Sequence, residues 1–314
     1  MRVFTDIYNL KYEIHRPVVT IGTFDGLHLG HQKVLEKLKS VSDEKNCRNL
    51  VITFWPHPRR VLSPPDDMPK LLSTLENKIY LFENIGIDNL LVLPFTVEFS
   101  QQNYLEFIED LLIKKIDVSA VVSGYDHRFG KDRQGSYQLL NQQHKQYNIE
   151  VFEVEPFILD GIAVSSTKIR RFLIEGDIER ANKMLGYHYF MDGKVIKGMN
   201  IGSKLDFPTA NIDFEQDVQQ MPKDGVYLVK VDIDNEEFFG MLNSGENPTI
   251  HGKGRSVEVN IFDFSKNVYG KNITVYFLER LRDELKFNNL NELRQQMNAD
   301  REISLQKISQ YLKN

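Results

Sequence analysis

Thr20-Ile-Gly-Thr-Phe-Asp-Gly-Leu-His-Leu-Gly-His-Gln32 is the stretch whose reading decides the fold. An apolar run, Pro17 to Ile21, leads into it, and a helix-period run, Val34, Leu35, Leu38 and Val41, leads out. The spacing predicts a strand, a turn and a helix. The turn carries Gly22, Gly26 and Gly30 and two histidines, His28 and His31. Glycine lets a backbone approach a ligand closely, and a helix start offers unpaired N–H groups at a positive dipole end. Two imidazoles three residues apart add donors on the same side. Such a turn suits a polyphosphate. A glycine-rich turn alone is most often only a turn, and a histidine pair also suits zinc. Zinc, however, needs a third ligand and gives no reason for the glycines.

Working outward, the 314 residues are enough for about two domains. A hydrophobic share of 41% supports real cores, and a formal charge of −5 shows no clustered basic footprint for nucleic acid. Cys47 is the only cysteine, which excludes an intramolecular disulfide and a Cys-x-x-Cys metal or redox site. Met1-Arg-Val-Phe-Thr-Asp6 has no signal-peptide character, and no apolar stretch is long enough to span a membrane. A cytoplasmic protein with no membrane partner is expected; its oligomeric state is left open.

In the first half, Asn49–Phe54, Asn89–Leu93 and Ala120–Ser123 read as further strands, with helical spacing over 75–85 and 104–113. Alternation of this kind predicts a parallel sheet with helices on both faces, which binds ligands beyond the carboxyl ends of its strands. Three loops lie at such ends. The first is the glycine–histidine turn. The second is Trp55-Pro-His-Pro-Arg-Arg60, with Pro56, His57, Pro58 and Arg59. The third is Ser123–Gly135, with Asp126, Arg128 and Phe129. Further on, Val164-Ser-Ser-Thr-Lys-Ile-Arg-Arg-Phe-Leu173 starts a helix whose Ile169, Phe172 and Leu173 face a core. One hydroxyl would cap it. Three hydroxyls, Ser165, Ser166 and Thr167, with Arg170 make a second phosphate cradle. Gly-x-Phe-Asp-Gly, His-x-Gly-His and Ser-Ser-Thr-x-Ile-Arg together resemble the signature of the HxGH nucleotidyltransferase superfamily. That resemblance implies ATP contacts from Gly22, Phe24, Asp25, His28, His31 and the second cradle. The two histidines would stabilise charge as the α-phosphorus is attacked.

Past Ile178–Leu185, expected to be the last helix of the first domain, the pattern changes. Tyr189–Val195, Thr209–Asp213, Gly225–Ile233, Glu237–Leu242, Ser256–Phe264 and 273–281 read as six strands of a small antiparallel barrel. A tail helix over 290–312 would lay Leu293, Met297, Ile303, Ile308 and Leu312 across it. Leu205-Asp-Phe-Pro-Thr-Ala-Asn-Ile212 is either a turn into a strand or a place where Thr209 and Asn211 offer oxygens to Mg²⁺ or phosphate. Glu258 alternates with Val257 and Val259 and faces away from them, a candidate general base if it lies at the barrel mouth.

With both halves read, the chain resembles the prokaryotic bifunctional riboflavin kinase/FAD synthetase family over roughly residues 10 to 312. The resemblance implies an FMN adenylyltransferase domain over 1–185 and a riboflavin kinase domain over 186–314, with riboflavin, FMN and ATP as substrates and Mg²⁺ as cofactor. It implies that Pro56, His57, Pro58, Arg59, Asp126, Arg128 and Phe129 meet FMN. In the kinase, Gly202, Lys204, Pro208, Thr209 and Asn211 would hold ATP–Mg²⁺, with Thr209 and Asn211 as metal ligands. Glu258 would be the base, and Arg282 and Phe287 would lie by the flavin. The chain departs from the family pattern at Trp55, where Glu is usual, at Ser203 for Arg, at Asp206 for Gly and at Asn260 for His. Asp206 beside a triphosphate leaves a second reading open: a synthetase whose C-terminal domain only binds flavin or regulates. A different phosphorylated acceptor is a third.

Overall fold

The computed structural model describes residues 1–7, 10–125, 139–141, 146–198, 207–214, 216–247 and 254–311. The chain divides into two units, Met1–Ser166 and Thr167–Asn314.

In the first unit six strands form one sheet. They are β1 (Arg2–Phe4), β2 (Val18–Ile21), β3 (Asn49–Trp55), β4 (Asn89–Pro94), β5 (Ala120–Gly124) and β6 (Glu150–Val154). Every neighbouring pair is parallel, in the order β1-β4-β3-β2-β5-β6. The strands from β2 to β5 are near-continuous apolar runs because both of their faces are covered. Helix α1 (Leu29–Glu44) packs on one face. On the other, Val19, Ile21, Leu50, Ile52, Leu91 and Val121 share a core with Phe107, Ile108, Leu111 and Leu112. Those four residues belong to a π-helical segment, Phe107–Ile116, which continues the turn Tyr104–Glu106. Each fully buried Val, Leu or Ile contributes about 1.5–3 kcal/mol. Helix α2 (Leu75–Ile85) starts in a capping box: Asn77 N–H donates to Thr74 Oγ1, and Thr74 N–H to Asn77 Oδ1. Gly86, in the left-handed conformation, closes it. A two-stranded hairpin, β7 (Ile158–Leu159) and β8 (Ile162–Ala163), precedes the second-unit helices α3 (Ser166–Glu175) and α4 (Ile178–Leu185).

The second unit is a closed antiparallel barrel of β9 (Phe190–Ile196), β10 (Ala210–Phe214), β11 (Gly225–Ile233), β12 (Glu236–Asn247), β13 (Gly254–Ile261) and β14 (Asn272–Arg282). The order is β10-β13-β12-β11-β14-β9. α4 packs on β14, where Asn182 Nδ2 donates to the Phe277 carbonyl at 2.9 Å. The tail helix, α5 (Leu290–Tyr311), covers the barrel through Leu293, Met297, Ile308 and Tyr311, against Phe207, Leu228, Met241, Phe262 and Leu278.

One position of the expected tail-helix stripe is corrected. Ile303 is 43% exposed, and Ser304 is buried in its place. Positions 293, 297, 300, 304, 308 and 311 follow one another at intervals of three and four and share a face. Residue 303 lies a full 100° step off it. Leu312 falls outside the described residues. The stripe therefore contains a buried acid, Asp300, which accepts from Arg282 Nε at 2.9 Å and from Nη2 at 2.7 Å. Removing one partner of such a pair strands the other charge. Asp300→Ala should lower the unfolding free energy by about 3 kcal/mol. A urea midpoint, followed by circular dichroism, that does not move would show that the pair is dispensable.

Candidate active sites

The chain passes from β2 to β3 on one side and returns to β5 on the other, so β2 is the point where the strand order reverses. Ligands of open parallel sheets bind beyond the carboxyl ends of the strands at that point. The turn that follows β2 is the glycine–histidine stretch. Its backbone is contorted: Phe24 and Leu27 hold φ of 47° and 33°, both in the left-handed region, and Gly26 holds 78°. Strain in two non-glycine residues persists only where surroundings enforce it. Asp25, 2% exposed, does so. Its Oδ1 accepts from Leu72 N–H at 2.8 Å and Ser73 N–H at 3.3 Å, while Gly26 N–H donates to Ser73 Oγ. A Cβ at Gly26 would meet Leu72 at 2.7 Å. That glycine is thus required by its own scaffold as well as by its φ.

His28 caps α1, its Nδ1 accepting from His31 N–H at 3.3 Å. The two imidazoles stack, centroids 3.7 Å apart and 15° from parallel, and Phe24 sits edge-on to His31 at 5.3 Å. The second cradle arrives beside them. Ser166 Oγ donates to the Asp25 carbonyl at 2.9 Å, and a Cβ on Gly30 would lie 3.7 Å from the Val164 carbonyl. A hydroxyl 141 positions along the chain from Asp25, that of Ser166, thus stands at the histidine turn. Ser165 immediately precedes the helix, and Thr167 and Arg170 follow on it, in the second unit.

At the end of β3, His57 is buried and caps the short helix Pro58–Leu62, its Nδ1 accepting from Arg59 N–H at 3.1 Å. Pro56 and Arg59 are exposed and Pro58 is half-buried. Of the loop after β5, Asp126, Arg128 and Phe129 fall outside the described residues. Gly22 donates its N–H to the Ile52 carbonyl, which joins the ends of β2 and β3.

Sequence reasoning missed Ser73 and Lys78. Lys78, on α2, is fully buried, donates to the Thr23 carbonyl at 2.7 Å and lies 5.6 Å from the Trp55 ring centroid. Burial brings its pKa down to about 8, against the opposing pull of Asp25. Burial, then His28 and Lys78, hold His31 well below its ordinary 6.5. Among the described residues its Nδ1 has no hydrogen-bond partner, and it is buried. The one available signal for Lys78 was a cation on the apolar side of an amphipathic helix, beside Leu81 and Phe82.

In the barrel, β10 and β13 pair so that Asn211 faces Glu258 across the ladder. Val257 and Val259 are buried and Glu258 is half-buried, on the other face as its alternation requires. Thr209 Oγ1 donates to Glu258 Oε2 at 3.0 Å. Asn260 Nδ2 donates to the carbonyl of the exposed Pro208 at 2.8 Å, holding the turn that presents Thr209. A Cβ at Gly198 would come within 1.9 Å of Asn211 Nδ2, so a larger residue there would displace that amide; Gly198 is a further residue sequence reasoning missed. Arg282 is engaged by Asp300, and Phe287 is half-buried beyond β14. Gly202, Ser203, Lys204 and Asp206 fall outside the described residues.

Two family models match the chain: residues 11–168 match FAD synthetase and residues 185–308 match riboflavin kinase. The bifunctional riboflavin kinase/FMN adenylyltransferase of Buchnera aphidicola is 37% identical over 307 residues, covering 96% of this chain and 97% of its own. That of Haemophilus influenzae is 37% identical, covering 97% and 98%. A crystal structure of a macrolide-efflux protein from Streptococcus pneumoniae shares the fold at a TM-score of 0.87 and 30% identity, covering 97% of this chain and 99% of that one.

The His31 environment has a consequence for stability. The unfolded chain takes up the His31 proton near pH 6.5, and the folded chain only well below it. As pH falls under 6.5 the unfolded state binds more protons and stability is lost. Urea midpoints read from Trp55 fluorescence should fall between pH 7.5 and 5.5 more steeply in the parent protein than in His31→Gln. Parallel slopes would show that His31 is not held neutral.

Proposed function

The chain belongs to the family of bifunctional riboflavin kinase/FMN adenylyltransferases, and from that premise we propose which residues carry each of its two reactions. It phosphorylates riboflavin to FMN with ATP, and adenylylates FMN to FAD. The domain boundary we place between residues 185 and 186. The adenylyltransferase site we place at the glycine–histidine turn, the phosphate cradle of Ser165 and Ser166, and Thr167 and Arg170 of the sequence motif. The observation that carries this is the Ser166–Asp25 hydrogen bond, which brings two phosphate-binding stretches from opposite ends of the unit together at the switch point.

There an FMN phosphate oxygen attacks the α-phosphorus of ATP. The bond to the β-phosphate oxygen breaks, and pyrophosphate leaves. No protein nucleophile is needed. His28, His31 and the hydroxyls stabilise the negative charge that gathers on the transferring group. Gly22, Phe24 and Asp25 shape the turn that receives the nucleotide. Asp25 acts from behind it, since its Oδ1 is bound by the amides of Leu72 and Ser73. Pro56, His57, Pro58 and Arg59 lie at the neighbouring strand end and are assigned to FMN, with Asp126, Arg128 and Phe129 by the sequence pattern.

In the barrel the ribityl 5′-hydroxyl attacks the γ-phosphorus, ADP leaves and Glu258 takes the proton. Bound together with ATP, Mg²⁺ would supply neutralisation of the phosphate charge. Thr209, Asn211 and Glu258 present hard oxygens at one point of the β10–β13 ladder, a donor set that suits it. Thr209 and Asn211 are assigned to the metal, Pro208 with Gly202 and Lys204 to the nucleotide, and Arg282 and Phe287 to the flavin side, Arg282 as the residue that anchors α5 there. The riboflavin kinase match over residues 185–308 favours a working kinase over a binding module. The name of the Streptococcus pneumoniae structure describes that protein. Among the described residues here no helix is long and apolar enough to cross a membrane. A cytoplasmic setting completes the reading.

Incubation of the purified chain with riboflavin, ATP and Mg²⁺, with flavins separated over time, should yield FMN and then FAD. FAD from added FMN, but nothing from riboflavin, would reduce the barrel to a flavin-binding module. His28→Ala and His31→Ala should each cut FAD formation by about 10²–10³-fold and spare FMN formation. Glu258→Ala should cut FMN formation by about 10²–10⁴-fold and spare FAD formation from FMN. Loss of both activities in a folded variant would refute separate sites.

A further inference from the structure

Lys78 is a fully buried ammonium, and among the described residues no carboxylate pairs with it. Its contacts are one carbonyl and one aromatic face. Burying a cation so sparsely compensated is costly, and a methionine would fill the same space at less cost. The fold alone gives no reason for the charge; its position does. The carbonyl it holds belongs to Thr23, between Gly22 and the left-handed Phe24, and that carbonyl also accepts from Thr53 Oγ1 at 3.4 Å. Phe24 in turn is packed edge-on against His31.

We propose that Lys78 is a positioning residue for adenylyl transfer: from α2 it fixes the Thr23 carbonyl, and with it the turn carrying Phe24, His28 and His31, and it brings a positive charge, with no ion-paired carboxylate among the described residues, to the turn that holds the histidine pair. This rests on reading that turn as the adenylyltransferase site. The charge acts through His31. The groups that bear on that imidazole within the described first unit are His28 beside it, Lys78 from α2 and, through Lys78, Asp25 of the turn. Ser166 from the second cradle and Thr53 and Trp55 from β3 add no charge. The one carboxylate, Asp25, already accepts from two main-chain amides on Oδ1, so the ammonium of Lys78 and the ring N–H groups of the two histidines are the groups of this pocket that can meet an anion. Lys78 adds to burial and His28 in disfavouring the proton on His31 in the empty site, and incoming phosphate oxygens shift that balance towards the proton.

The test uses the full chain and two readouts. The first is the pH titration of the His31 ring, followed by NMR of labelled histidine and assigned with His31→Gln. The second is the kcat of FAD formation from FMN and ATP, with riboflavin phosphorylation as the control for intact protein. In Lys78→Met the His31 midpoint should move to higher pH, and kcat should fall about 100-fold, the scale of a misplaced reacting group, more than KM for ATP changes. Lys78→Arg should keep the midpoint low and recover part of the rate. Lys78→Gln, which keeps a donor for Thr23 without the charge, should raise the midpoint, and it serves in place of Lys78→Met if that variant does not fold. An unmoved midpoint in the uncharged variants, or an unchanged kcat, overturns the proposal. So does equal loss in the Met and Arg variants. FAD formation that survives His31→Ala would instead overturn the site assignment and leave the Lys78–His31 coupling measurable in its own right.

Discussion

Asp25 is a carboxylate with almost no water to stabilise it. What replaces water is main chain: the amides of Leu72 and Ser73 donate to its Oδ1, and its own carbonyl accepts from Ser166. A buried carboxylate must be satisfied in this way or lose its charge. That requirement ties the turn after β2 to the segment before α2, and the main-chain carbonyl of Asp25 adds Ser166, the last residue of the first unit. The strained φ of Phe24 and Leu27 survives because this knot leaves the turn no other conformation. The stacked histidines hang from it, since His28 begins α1 directly beyond the turn.

The barrel solves its problem differently. There the functional groups stand on strands, and cross-strand register sets their spacing. Asn211 and Glu258 are paired residues of one ladder, and Thr209, one step before β10, reaches Glu258 by a hydroxyl. A one-residue slip would turn Glu258 into the core and Val257 or Val259 out of it. The apolar packing of the barrel therefore enforces the polar geometry of the β10–β13 ladder. α5 adds the Arg282–Asp300 pair, an ionic fastening inside an otherwise apolar contact.

The central strands β2 to β5 were legible because burial on both faces demands continuous apolar runs, and the barrel strands because half-burial demands alternation. The edge strands β1 and β6 were not. Each pairs on one side only and is partly exposed, so Arg2-Val-Phe4 and Glu150-Val-Phe-Glu-Val154 carry neither pattern strongly. The tail helix was legible as a helix but not in its facing. Ile303 has the composition of a core residue, but its angle on the helix points it to solvent. Asp300 is a surface residue by composition, and Arg282 makes its burial possible.

What the sequence by itself determined is local: a strand-to-helix turn with glycines and paired histidines, a hydroxyl-rich helix start, and a strand Glu between two valines. Each follows from neighbours a few residues apart, where spacing dictates side-chain direction. Only the tertiary structure decided what those pieces face. The return of the chain from β4 to β5 put the turn at the switch point of the sheet, the hydrogen bond to the Asp25 carbonyl brought Ser166 to it, and the burial of α2 brought the ammonium of Lys78 to the Thr23 carbonyl. The physical reason is that hydrogen bonds and Coulomb forces depend on distance through space. Residues 55 or 141 positions apart become neighbours only when the core has closed around them.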